Sequence, residues 1–234
     1  MSSQPIRRDV VSYVRRSARM SASQQRAWEA HRQRWVIDIE RGERSTSVGP
    51  SAGVDWVAGF GRSAPLIAEI GCGTGDSLVP MAAARPASNV IAFEVFEPAV
   101  AGTLSRLARE GVDNVRLIVA DAAQALATLL APGSLSELWL YFPDPWPKVR
   151  HHKRRLLDPA FAALAASRLR PGGLWRLATD WADYADAMRA VLDAEPQLVA
   201  VPDAGRGDRP ITRFERRGLA AGRTITELSY ARRT

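Results

Sequence analysis

The chain has one cysteine, Cys72, so no disulfide can form within it. It has no apolar run approaching the ~20 residues that cross a bilayer. The opening residues 1–9 lack the apolar stretch of a secretory signal. From these three absences we expect a cytoplasmic protein with no membrane attachment. Histidine is also scarce, three in 234 residues. The adjacent pair His151 and His152 has no cysteine and no third histidine near it, so we expect no metal. Positive charge is what the sequence has in excess: 32 Lys and Arg against 25 Asp and Glu give +7. Such an excess suits a polyanionic partner, because neutralised phosphates release condensed counterions. Charge alone fits a basic protein without such a partner equally well. At this length, with 46% hydrophobic residues, one sizeable core is the default.

Residues 1–20 are rich in arginine (Arg7, Arg8, Arg15, Arg16, Arg19) and poor in acids. The first dozen are expected to be poorly ordered. Ser21 with Gln24 three places on makes a capping box, and a helix over about 23–40 follows, with Trp28, Trp35, Val36 and Ile39 as its buried positions. A turn-rich stretch from Gly42 to Pro50 closes this leader. We therefore divide the chain into a basic N-terminal extension and helix, 1–45, and an α/β domain, 46–234. In the latter, short apolar strands at 66–70, 90–94, 115–119, 137–141 and 173–178 alternate with helices at 77–85, 98–109, 122–130, 158–169 and 182–192. Weaker strands stand at 198–201 and 224–230. This pattern predicts a Rossmann-like fold: a mostly parallel, seven-stranded sheet with helices on both faces.

Residues 69–75 read E-I-G-C-G-T-G between the first strand and the next helix, where such folds bind a nucleotide. Gly71, Gly73 and Gly75 let the backbone approach a ligand. A dinucleotide fingerprint needs glycine at position 76, which is Asp76, and no G-K-[ST] follows for a phosphate loop. Two further acids end strands: Glu94 the second, where ribose-binding carboxylates sit, and Asp121 the third, beside Ala122. Either alone reads equally well as a helix cap or a solvated acid. Three such sites on successive strand ends point to S-adenosylmethionine, whose sulfonium suits a carboxylate at Glu69.

The fourth strand runs into F-P-D-P-W-P-K, residues 142–148. Pro143, Pro145 and Pro147 stiffen the backbone and keep it out of a helix. Asp144, Trp146 and Lys148 are thereby displayed at the carboxyl edge of the sheet. The run Arg150, His151, His152, Lys153, Arg154, Arg155 follows. A basic run is usually a solvated face, but beside a presumed active site phosphate contact is the better reading.

With these residues in place, the chain closely resembles the bacterial tRNA (guanine-N7-)-methyltransferases of the TrmB type, class I S-adenosylmethionine-dependent enzymes. The resemblance runs from about Arg15 to the C-terminus. It rests on residues 142–156, on L-R-P-G-G at 169–173, T-D-W at 179–181 and R-P-I-T-R-F-E-R-R-G at 209–218. It implies that Glu69, Glu94, Asp121 and Asp144 line the cofactor site, with Asp144 as the catalytic candidate. It implies that Lys148, Asp180 and Thr212, Arg213, Phe214 and Glu215 meet the substrate, and that residues 150–155 contact RNA. The family acts on a variable-loop guanine of tRNA, conventionally numbered 46. This chain departs from the common pattern at Val149 (for Lys), Arg213 (for Lys), Arg223 (for His) and Glu227 (for Asp). We expect tRNA as partner and a monomer or homodimer. The rival readings are an exocyclic-amine methyltransferase, whose D/N-P-P-aromatic loop differs from Asp144-Pro145-Trp146, a non-catalytic RNA-binding module, and an oxidoreductase, which Asp76 disfavours.

Overall fold

The computed structural model describes residues 19–202 and 204–234. The arginines before Arg19, and the order expected of the first dozen residues, lie outside the described residues. Helix α1 (Ala22–Trp35) opens on the expected capping box, with Ser21 accepting from the Gln24 amide and the Gln24 side chain from the Ser21 amide. It ends at Trp35, five residues before the expected end. Val36 is extended and bridges to Leu117, and the Ile37 amide donates to the Leu117 carbonyl at 2.9 Å. β-Branched Val36 and Ile37 favour that extended course. Trp35 is fully buried and its Nε1 donates to the Val112 carbonyl at 3.0 Å. Val36 and Trp28 pack beside it half-buried, and Ile39 packs on the other face of the sheet.

A short helix, α2 (Trp56–Phe60), capped by Asp55, was not foreseen. Then follow β1 (Leu66–Ile70), α3 (Leu78–Ala83), β2 (Asn89–Glu94), α4 (Glu97–Glu110), β3 (Val115–Val119), α5 (Ala122–Leu129) and β4 (Leu135–Tyr141). A 3₁₀ turn (Val149–Arg154) leads to α6 (Pro159–Arg168), β5 (Leu169–Thr179), α7 (Ala182–Ala194), β6 (Leu198–Ala200), α8 (Arg213–Ala220) and β7 (Thr226–Arg232). The seven strands lie in the order β3-β2-β1-β4-β5-β7-β6. All pairings are parallel up to β5, and β7 runs antiparallel between β5 and β6. The expected seven-stranded, mostly parallel sheet is therefore what forms. Strand β5 starts four residues earlier than expected, because Leu169 pairs with Leu135 before an exposed bulge at residues 170–172.

Alternation along the strands splits the core. Leu66, Ala68 and Ile70 pack with α5, α6 and α7, while Ile67 packs with Trp35, α3 and α4. The leader is joined to the sheet layer: the Asp121 amide donates to the Thr46 carbonyl at 2.7 Å and the Val48 amide to Gln124 Oε1 at 2.9 Å. Among the described residues no helix is long and apolar enough to cross a membrane, and no group of three or more His, Cys, Asp or Glu could hold a metal.

Candidate active site

After β1 the chain moves to β2 on one side, while β4 lies on the other, so the strand order reverses between β1 and β4. Ligands of open α/β sheets bind outside the carboxyl ends of the strands at such a point. A cleft of about 970 Å³, its open mouth included, lies there. Its walls include Gly71, Glu94, Ala122, Tyr141, Asp144 and Trp146.

Glu69 is the fourth residue of β1 and points to the α3 side of the sheet, where it is 1% exposed. Ser77 Oγ donates to Glu69 Oε1 at 2.5 Å, and Oε2 is buried with no hydrogen-bond partner among the described residues. Burial raises its pKa to about 7, against the Ser77 hydrogen bond, which lowers it. Glu94 ends β2 and gathers three backbone donors: Gly73 at 2.9 Å, Val95 at 2.8 Å and Phe96 at 2.9 Å. Burial raises its pKa too, those donors opposing. Through Gly73 it ties the glycine loop to the second strand. Asp121 caps α5, accepting from the Gln124 amide at 3.1 Å. Its backbone neighbours Ala120 and Ala122 face the cleft.

Gly71, Gly73 and Gly75 all have positive φ. At Gly75 (φ 75°) a Cβ would also stand 3.0 Å from Thr103 Cγ2 and 3.1 Å from Val79 Cγ2. Gly75→Ala is expected to lose about 1–2 kcal/mol of stability from the left-handed backbone alone, read as a lowered denaturant midpoint.

On the far side of the cleft, residues 142–148 leave β4. The Phe142 amide donates to the Ala178 carbonyl at 2.7 Å. Phe142 (φ 52°) and Trp146 (φ 46°) are the only positive-φ residues other than glycine among the described residues. Such backbone costs of order 1–3 kcal/mol at each position and persists only where its surroundings hold it. Asp144 sits exposed on the rim, with no hydrogen bond or ion pair among the described residues, and the partial burial of its carboxyl raises its pKa. The Trp146 indole stacks on His151 (centroids 5.9 Å apart) and lies under the Arg154 guanidinium at 5.0 Å. Lys148 is exposed and caps the 3₁₀ turn, its carbonyl accepting from the His151 amide.

The run 150–155 does not present one face. Arg150 and Lys153 are exposed, His151 and His152 half-buried, and Arg154 lines the cleft. The flanking cations lower the His151 pKa, after a larger desolvation effect. Arg155, one of the six residues expected to contact RNA, differs from the others in its surroundings. Its side chain is 7% exposed and turned inward onto Pro145, Asp183 and Tyr184. The presumed substrate segment divides in the same way. Thr212 caps α8, its Oγ1 accepting from the Glu215 amide at 3.2 Å, and the Arg213 amide donates to Asp76 at 3.1 Å. Phe214 is half-exposed. The Glu215 side chain is fully buried between Arg206 and Arg209, so any part it has in substrate binding is indirect. Asp180, at the end of β5, accepts from Arg223 Nε at 2.8 Å; the arginine that departs from the common histidine thus makes an ion pair. Gly218 must be small, because a Cβ there would lie 2.7 Å from Asp180 Oδ2. Trp181 is half-buried against the core.

Two residues went unremarked as site residues in the sequence. Arg209, inaccessible to solvent, pairs with Glu215 at 2.7 Å and with Glu227, and its guanidinium lies 5.3 Å from the Tyr141 ring and 5.1 Å from that of Phe142. Asp76 pairs with Arg106 at 2.6 Å and so joins the glycine loop to α4 as well as to α8. Helix α8 itself had a signal: Thr212 with Glu215 at the third position is a capping pattern.

These residues suit S-adenosylmethionine. The unpartnered, buried Oε2 of Glu69 asks for a cationic donor, and a carboxylate there would repel a pyrophosphate.

Comparison with known proteins agrees. The model of a family described as "Putative methyltransferase" matches residues 63–228. A tRNA (guanine-N(7)-)-methyltransferase of Cutibacterium acnes is 53% identical over 97% of this chain and 84% of its own length. That of Nocardioides sp. is 51% identical over 97% and 88%, and that of Alkalilimnicola ehrlichii 44% identical over 97% and 94%. Among solved structures, the 16S rRNA methyltransferase KamB superposes with a TM-score of 0.54 at 17% identity, over 85% of this chain and 100% of its own, a likeness of fold.

Proposed function

The chain belongs to the tRNA (guanine-N(7)-)-methyltransferase family, and from that premise we propose how its site works. It transfers a methyl group from S-adenosyl-L-methionine to N7 of a guanine in tRNA. The oxidoreductase and binding-module readings fall with that membership. The observation that carries the assignment of roles is the buried Glu69 oxygen, unpartnered among the described residues, on the residue that immediately precedes Ile70 and Gly71 of the cleft wall, with Asp144 also lining that cleft.

When bound, the cofactor supplies an electrophilic methyl carbon on a sulfonium. Glu69 and the loop Gly71, Gly73, Gly75 hold its charged end; Glu94 takes the ribose, and Asp121 with Ala122 the adenine. Guanine N7 has a free lone pair, so the protein removes no proton before attack. Its main task is alignment, which in the best model reactions is worth up to ~7–11 kcal/mol. The purine gains positive charge as it is methylated. A carboxylate fixed beside it stabilises that charge, and Asp144 is the residue placed to do so. Asp144, or the Asp180 oxygen that Arg223 leaves free, accepts from the N1–H and N2 amino edge, which selects guanine over adenine. Lys148, Thr212, Arg213 and Phe214 complete the substrate side, and Glu215 holds the last three in place from behind. The acceptor is the variable-loop guanine.

The test is methylation of one tRNA transcript with and without that guanine, followed by cleavage specific for m7G. Product from the transcript lacking it would refute the choice of acceptor. For RNA contact, Arg150→Ala with Lys153→Ala is expected to raise KM for tRNA and to reduce the slope of affinity against salt by about one per lost phosphate contact, with kcat unchanged. An unchanged salt slope would place the footprint elsewhere.

A further inference from the structure

Arg155 is the residue of the basic run whose geometry departs most from RNA contact. The loop it adjoins is poor in donors, because Pro143, Pro145 and Pro147 have no N–H. What such a loop can offer an anchor is a carbonyl. Arg155 Nε donates to the Pro145 carbonyl at 2.9 Å, between Asp144 and Trp146. The other end of the same guanidinium donates to Asp183 in the first turn of α7. It also lies 3.1 Å from His152 Nε2, and its Cζ sits over the Tyr184 ring, 4.7 Å from the centroid. Tyr184 is fully buried, and its hydroxyl accepts from the Leu157 amide at 3.3 Å. A planar, forked cation can make these contacts at once; an ammonium cannot. Asp144 has no hydrogen bond of its own among the described residues, so the backbone on either side sets its direction. That backbone is held in the unfavourable conformation of Phe142 and Trp146.

We propose that Arg155 is a positioning residue for methyl transfer: it clamps the Pro145 carbonyl to Asp183 and Tyr184 and so aims Asp144 and Trp146 into the cleft. This rests on the assignment of Asp144 above. Such a residue works through the loop, without touching RNA or cofactor.

The experiment compares Arg155→Lys, Arg155→Met and Asp183→Ala with the parent in kcat, KM for tRNA, salt slope and hydrogen exchange of the amides in 142–156. We expect kcat to fall roughly 100-fold in Arg155→Met, as a displacement of about 1 Å can cause, and roughly 10-fold in the other two. KM for tRNA and the salt slope stay at parental values, and exchange at Asp144, Trp146 and Lys148 quickens. Asp183→Ala is decisive, since a carboxylate makes no attractive contact with phosphate. The proposal is overturned if Asp183→Ala keeps parental kcat and exchange. It is equally overturned if Arg155→Lys and Arg155→Met raise KM and flatten the salt slope with kcat intact, the signature of a phosphate contact. Should Arg155→Met fail to fold, Arg155→Lys and Asp183→Ala decide. A parent that forms no m7G sinks the function reading alone, because the exchange measurement still reads the clamp.

Discussion

Asp144→Ala is expected to fold like the parent and to lose turnover by roughly 100- to 1,000-fold, the scale seen when one preorganised electrostatic partner of a transition state is removed. The fold survives because Asp144 is exposed and makes no hydrogen bond or ion pair among the described residues. Its carboxylate also disfavours the charge on Glu94, so the alanine variant relieves a repulsion. Unfolding midpoints should therefore match or slightly exceed those of the parent. Asp144→Asn keeps the shape and an acceptor but not the charge. If the charge stabilises the forming guanine cation, asparagine falls nearly as far as alanine; if only base recognition matters, it keeps most of kcat. Since burial raises the Asp144 pKa, the catalytic form is lost at a higher pH than for an ordinary aspartate. Near-parental m7G formation by Asp144→Ala, measured by nucleoside mass spectrometry, would overturn the assignment.

The second large effect concerns Glu69 and has two signs. Its pKa in the folded protein is about 7, raised by burial from an ordinary 4.5. Between those two values the folded chain holds a proton that the unfolded chain has released. Stability from this group is therefore greatest below pH 4.5, declines as pH rises, and levels off above about 7, a total of about 3 kcal/mol. Cofactor binding runs the other way. A cationic ligand wants the ionised carboxylate, so affinity for S-adenosylmethionine should fall about tenfold per pH unit below 7 and be flat above. Glu69→Gln keeps an acceptor for Ser77 and removes the charge. At pH 8 it is expected to be more stable than the parent without ligand, and to bind the cofactor roughly 10- to 100-fold more weakly, as loss of a buried ion contact does. Calorimetric titration against pH checks both. A pH-independent parental affinity between 5.5 and 8 would remove Glu69 from the cofactor's charged end.

The sheet was legible because each buried parallel strand is a short apolar run between turn residues, and because the acids Glu69 and Glu94 stand at or next to strand ends, where no packing role calls for them. The glycine loop at 69–75, the candidate cofactor loop, was legible from its three glycines between a strand and a helix. Hydrophobic periodicity did not reach α2, which is five residues long, or α8, half of whose residues are charged and whose signal was its Thr212–Glu215 cap. Nor could it tell which way a charged side chain turns. Arg155 is buried because Asp183, 28 positions on, and Tyr184 receive it. Glu215 is buried because Arg206 and Arg209 neutralise it, with Glu227 holding Arg209. A buried charge is tolerated only with such partners, and they come from separate parts of the chain.

The place of β7 between β5 and β6 sets an order of assembly. The parallel strands β3, β2, β1, β4 and β5 have all been made by Thr179, yet the outer edge of β5 waits for residues 226–232. During synthesis, at ~5–20 residues per second, that edge stands open for several seconds. An unfilled strand edge is a template for pairing with another chain. The Arg209 pairs with Glu215 and Glu227 close in the same interval, so the back of the site is finished last. A nascent chain thus gains its sheet before its activity, and its exposure to misassociation is confined to the time β7 takes to arrive.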